Sequence, residues 1–60
     1  MPRRCSELYF SGGYLYAEVR AREDGSHEVK LVTRDARECR TVYRRDRRGR
    51  VEVMEDEDVL

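Results

Sequence analysis

Sixty residues make one small domain, with a charged fraction of 43%, a hydrophobic fraction of 38% and no Trp. A chain this short buries only ~60% of the surface its unfolded form exposes, which excludes multi-domain machinery and a deep enclosed active site and leaves little room for a large cofactor. Thirteen basic and 13 acidic residues cancel, but they are unevenly placed along the chain.

The start, Met1-Pro2-Arg3-Arg4-Cys5, is basic, yet no apolar stretch of signal-peptide type follows it. No apolar run approaches the ~20 residues that a membrane span needs. The sequence therefore reads as cytoplasmic and predicts no membrane partner. Cys5, Cys39 and the only His, His27, are too few and too scattered for a zinc site. One disulfide is conceivable, but a reducing cytosol would keep both thiols free, so they read as ordinary small side chains. His27 reads as a turn or surface residue.

Glu7-Leu8-Tyr9-Phe10 reads as a first strand, and Gly12-Gly13 as a two-residue turn that needs positive φ at both positions. That turn sets Phe10 against Leu15, Tyr9 against Tyr16 and Leu8 against Ala17. Tyr14 to Arg22 alternates strictly: Leu15, Ala17, Val19 and Ala21 on one face, Tyr14, Tyr16, Glu18, Arg20 and Arg22 on the other. Period two over nine residues means a half-buried strand. Glu23-Asp24-Gly25 is a three-residue hairpin loop with Gly third. It pairs Arg22 with Ser26, Arg20 with Glu28 and Glu18 with Lys30, and on the other face Val19 with Val29 and Ala17 with Leu31. Opposite charges meet on one side and apolar groups on the other.

The stretch from Asp35 to Gly49 has two readings. As a helix over 36–48 it has Asp35 as N-cap, Glu38 three residues on and Gly49 beyond the end. Its apolar stripe of Ala36, Cys39, Val42 and Tyr43 is narrow, and Thr41-Val42-Tyr43 is poor helix material. As a hairpin, Arg40–Asp46 and Arg50–Glu55 flank Arg47-Arg48-Gly49, pairing Asp46 with Arg50, Arg44 with Glu52 and Tyr43 with Val53. The hairpin is preferred, with residues 34–38 as a turn or a single helical turn.

The predicted fold class is all-β: a five-strand antiparallel meander or SH3-like barrel over 1–54, with an acidic tail over 55–60. The alternative is α+β with one short helix at 36–48. The predicted inward set is Leu8, Phe10, Leu15, Ala17, Val19, Val29, Leu31, Tyr43, Val51 and Val53. Several of these are small, and a flat single sheet with so few apolar side chains does not offset the entropy of ordering the chain. The sheet is expected to curl, to self-associate or to dock on a partner.

Residues 34–50 carry eight Arg against three acids, and residues 51–60 carry five acids and no base. The basic stretch suits phosphate or carboxylate surfaces, and the acidic tail can compete for it. Tyr9, Tyr14 and Tyr16 fall on the face away from the predicted core, continued by Arg20 and Arg22. Aromatic rings beside Arg on a sheet can stack bases and hold phosphates. Two functions follow. The first is a nucleic-acid-binding module in which those five residues stack and clamp, while Arg40, Arg44, Arg45, Arg47 and Arg48 contact phosphates. The second is a protein-interaction module, a homodimer or a small regulator or inhibitor docking on a larger protein, through the Tyr face or an open sheet edge. The tail, ending in Val59 and Leu60, reads as a frayed end, a competitor for the basic stretch or a docking peptide. The sequence has no phosphate loop, metal cluster or nucleophile–base pair, so the expectation is a non-enzyme with no cofactor and no small-molecule substrate.

Overall fold

A computed structural model describes residues 3–59; Met1, Pro2 and Leu60 lie outside the described residues, and with them the Leu60 half of the expected apolar anchor. The elements in chain order are β1 (Arg3–Arg4), α1 (Cys5–Ser11), β2 (Tyr16–Ala21), β3 (His27–Val32), β4 (Glu38–Arg45), β5 (Val51–Asp56) and β6 (Asp58–Val59). Strands β2-β3-β4-β5 form one antiparallel meander, and β1 pairs with β6 in a separate two-strand ribbon. The chain is thus mostly β, as expected, but the sheet does not close into a barrel among the described residues: β2 and β5 are its edges.

The two hairpins read from loop chemistry form in the expected register. Glu18 faces Lys30, Val19 faces Val29 and Arg20 faces Glu28. Tyr43 faces Val53 and Arg44 faces Glu52. The helix alternative at 36–48 is not formed, because β-branched and aromatic residues at 41–43 pack well in a strand. Three successive loops have one design: the residue before each loop donates its N–H across, from Arg22 to Ser26, Thr33 to Arg37 and Asp46 to Arg50. The third loop residue is left-handed in each, Gly25, Ala36 and Gly49. The β4–β5 hairpin overhangs its neighbour. His27 opens β3 opposite Tyr43, so Arg44, Arg45 and the loop beyond have no β3 residue beside them.

The first expected strand is instead a helix, which corrects the Gly12-Gly13 hairpin. Cys5, Leu8 and Tyr9 stand at helical spacing and turn to the sheet, with Cys5 and Leu8 buried and Tyr9 half-buried. Gly12 ends the helix in a left-handed conformation (φ 78°), and Gly13 N–H reaches back to the Leu8 carbonyl at 3.0 Å. The N-terminus has no cap of its own. The Asp56 carboxylate of β5 accepts from Ser6 N–H at 2.9 Å and from its hydroxyl at 2.6 Å.

A second correction concerns the cysteines, which are bonded to each other. The Cys5–Cys39 disulfide ties the helix to a central strand, with Cα atoms 5.8 Å apart. The core around it is Cys5, Leu8, Val29, Leu31, Cys39 and Tyr43. Five residues of the predicted inward set are exposed: Phe10, Leu15, Val19, Val51 and Val53. One short helix covers only part of one sheet face, so the ends of that face stay open. The expected tail is joined to the fold: Glu57 N–H donates to Arg40, Cys5 N–H donates to Glu57, and Arg4 pairs with Asp58.

Candidate functional site

The sheet has two unlike faces. Alternation puts Ala17, Val19 and Ala21 of β2 on the same side as His27, Val29 and Leu31 of β3, Cys39, Thr41 and Tyr43 of β4, and Val53 of β5. Helix α1 packs on this side. Its end builds an aromatic cluster on Tyr43: Phe10 meets Tyr43 edge-on at 5.1 Å, Tyr9 lies 6.0 Å from it, and Tyr14 stacks on Tyr9 at 5.8 Å. His27 stacks on Tyr43 at 5.2 Å, and its buried Nδ1 has no hydrogen-bond partner. From the C-terminal end of the helix outward, the same face carries a strip of exposed apolar side chains. Phe10 is 46% exposed, Val19 47%, Val53 42% and Val51 38%, around half-buried His27. The strip runs out along the overhanging hairpin to Arg45, the cross-strand neighbour of Val51, and to the exposed loop of Arg47 and Arg48.

The opposite face is ionic and centred on Glu28, a buried carboxylate. Glu28 accepts from Arg40 Nε at 2.6 Å, Arg20 at 2.8 Å and Arg22 at 3.2 Å. Glu55 reaches Arg40 at 3.4 Å and Arg22 at 3.8 Å. The hydrogen bond from Arg40, then that from Arg22 and the positive charges of Arg40 and Arg20, outweigh burial and hold the Glu28 carboxyl down at about 2. Burial alone would have raised it. Val42, the cross-strand neighbour of Glu28, is fully buried on this face. The charged side chains around it have aliphatic stems that can cover it.

Comparison with known proteins found no matching family model, no similar curated protein and no similar solved structure.

The sequence-predicted site residues divide between these faces. Tyr9 and Tyr14 belong to the aromatic cluster at the end of the helix. Tyr16 stands on the ionic face and donates to Glu18 at 2.7 Å. Arg20, Arg22 and Arg40 come together, but around Glu28. Arg44 meets Glu52 at 3.5 Å, and Arg45 donates to the Gly49 carbonyl at 3.0 Å. Arg47 and Arg48 occupy the exposed loop. Among the described residues no three His, Cys, Asp or Glu side chains form a metal-binding group, and no helix is long and apolar enough to cross a membrane.

Two features were not read from the sequence. The Arg20–Glu28 pair was visible in the β2–β3 register, but the convergence of Arg22 and Arg40 needs the β3–β4 register as well. The apolar strip was hidden because its residues have the pattern of core positions.

Proposed function

We propose that this chain is a small non-catalytic protein-interaction module. The observation that carries this reading is the apolar strip of Phe10, Val19, Val51 and Val53, left open on the face that elsewhere holds the core. Exposed apolar side chains on a core face, ending in charge, are what a protein partner covers. The strip ends at Arg45, Arg47 and Arg48, so the fitting partner surface is apolar at its centre and acidic at one end. The pairing of Arg22 and Arg40 with Glu28 and Glu55 counts in the same direction, because these two guanidinium groups are occupied within the fold. The disulfide adds an oxidising compartment to the reading, since reducing cytosol does not maintain such bonds.

Nucleic-acid binding, the first of the two functions expected from the sequence, becomes the second reading, favoured by the exposed Arg47-Arg48 loop on a projecting hairpin. One experiment separates the two. The tagged chain and its Val53→Glu variant are used as baits on extract of the source organism at low and moderate salt. A protein retained by the chain and lost by Val53→Glu supports the interaction module. Retention of DNA or RNA that elutes steeply with salt, unaffected by Val53→Glu, supports the second reading and overturns the first.

A further inference from the structure

The β2 edge of the sheet is open, and its sequence is nearly its own complement. Arg22 N–H donates to the Ser26 carbonyl, which makes Arg22–Ser26 a hydrogen-bonded pair. Pairs alternate along an antiparallel ladder, so Arg20, Glu18 and Tyr16 also turn their backbone groups toward β3. The N–H and C=O groups of Ala17, Val19 and Ala21 therefore point away from the sheet. Among the described residues none pairs with them: β2 ends the strand order, and Val19 and Ala21 are exposed. The strand has no Pro and no bulge between Ala17 and Ala21, two common ways of blocking an edge. The other edge is guarded. Strand β5 is bulged against Val42 and Tyr43 and carries Glu52, Glu55 and Asp56.

We propose that two copies of this chain pair through antiparallel β2 strands, with the two-fold axis at Val19. This register joins outward-facing residues only: Val19 to the second copy's Val19, and Ala17 to the second copy's Ala21. Each facing pair exchanges both backbone hydrogen bonds. On the ionic face it sets Glu18 opposite the second copy's Arg20, and Tyr16 opposite the second copy's Arg22. Arg20 keeps donors for this, since its side chain is 76% exposed although it touches Glu28. Charge rejects the neighbouring registers. Sliding by two residues one way puts Glu18 on the second copy's Glu18, and the other way puts Arg20 on Arg20. A slide of one residue opposes outward groups to inward ones and loses the hydrogen bonds. The selected register also brings together the two exposed Val19 side chains on the apolar face. The pairing shares Val19 with the docking strip, whose other strand residues, Val51 and Val53, lie on β5 and take no part in it.

The test is sedimentation equilibrium from about 10 μM to about 1 mM chain, spanning the affinities of weak to moderate dimers. The expected result is a mass that rises with concentration to that of a dimer and stops there. Val19→Pro removes an N–H that the sheet does not use, so the variant is expected to keep the monomer fold by circular dichroism and the monomer mass throughout. A monomer mass for the unaltered chain over the whole range overturns the proposal, as does dimerisation of Val19→Pro with undiminished affinity or growth beyond the dimer. Should Val19→Pro not fold, Val19→Cys decides: mild oxidation is expected to link residue 19 to residue 19, located by peptide mass spectrometry, and absence of that link overturns the pairing. Val53→Glu is expected to leave the dimer intact, so failure of the docking reading and failure of this one are separately visible.

Discussion

Glu28 shows how one residue carries a face of this protein. Three guanidinium groups converge on it from β2, the following loop and β4. Its carboxyl titrates at about 2 when folded, against 4.5 ordinarily. A carboxyl lowered by folding stabilises the folded state above its unfolded value, and that contribution is lost as pH falls toward the folded value. Thermal stability is therefore expected to decline between about pH 4.5 and 2, where protonation leaves three positive side chains around a neutral one. Glu28→Gln is expected to melt lower than the unaltered chain at neutral pH and to show a shallower decline across that interval. Melting curves for both across the interval check this; parallel declines would remove Glu28 from the explanation. Asp24 and Asp35 are lowered as well, by hydrogen bonds from Ser26 and Thr33, so the variant keeps part of the slope. The Arg20–Glu28 pair was legible in the sequence because a three-residue loop dictates register. The rest of the cluster depends on how far β4 slides along β3, which the intervening turn did not reveal.

Among the elements, the hairpins were legible and the helix was not. Glu23-Asp24-Gly25 and Arg47-Arg48-Gly49 place Gly where a left-handed residue is needed, and alternation in the flanks does the rest. Arg34-Asp35-Ala36 has the same shape without that signal, because Ala36 holds φ at 67°. A left-handed L-residue costs ~1–2 kcal/mol, partly offset in a Gly variant by its freer unfolded chain. Ala36→Gly is thus expected to stabilise the fold by about 0.5–1 kcal/mol, read from the urea midpoint. A lower midpoint would contradict it. The helix escaped notice because Leu8-Tyr9-Phe10 is short enough to suit either period. The discriminating residues were Cys5, Leu8 and Tyr9 at i, i+3 and i+4, followed by Gly12. The partner of the helix start, Asp56, lies 50 residues from Ser6 and gives no local sign.

For the whole molecule, the expected shortage of apolar cover is real and is met in two ways. The chain exposes 4630 Å², where a folded monomer of its 7.2 kDa exposes about 4100 Å². The helix and disulfide close one part of the apolar face, and the rest stays open. A bond joining residues 34 apart restricts the unfolded chain by about 4 kcal/mol in the loop-entropy account. That is a large share of the ~5–15 kcal/mol that holds small domains folded. Urea unfolding with and without a thiol reductant is expected to differ by about this amount, and equal midpoints would show that the bond adds nothing. The pairing was not legible because two cysteines 34 residues apart carry no local sign of contact, and a reducing compartment, as expected from the sequence, would have kept them free.

The overhang of the β4–β5 hairpin has a consequence for how the chain is cut. Arg47 and Arg48 stand in solvent at its tip, beyond the support of β3. Most other arginines are engaged by carboxylates or lie within paired strands. An arginine-directed protease should nick here first, since cleavage follows exposed loop tips that can open locally. The two pieces would stay associated through the β4–β5 ladder and the Ser6–Asp56 contact, giving a clipped but assembled protein that separates only when denatured.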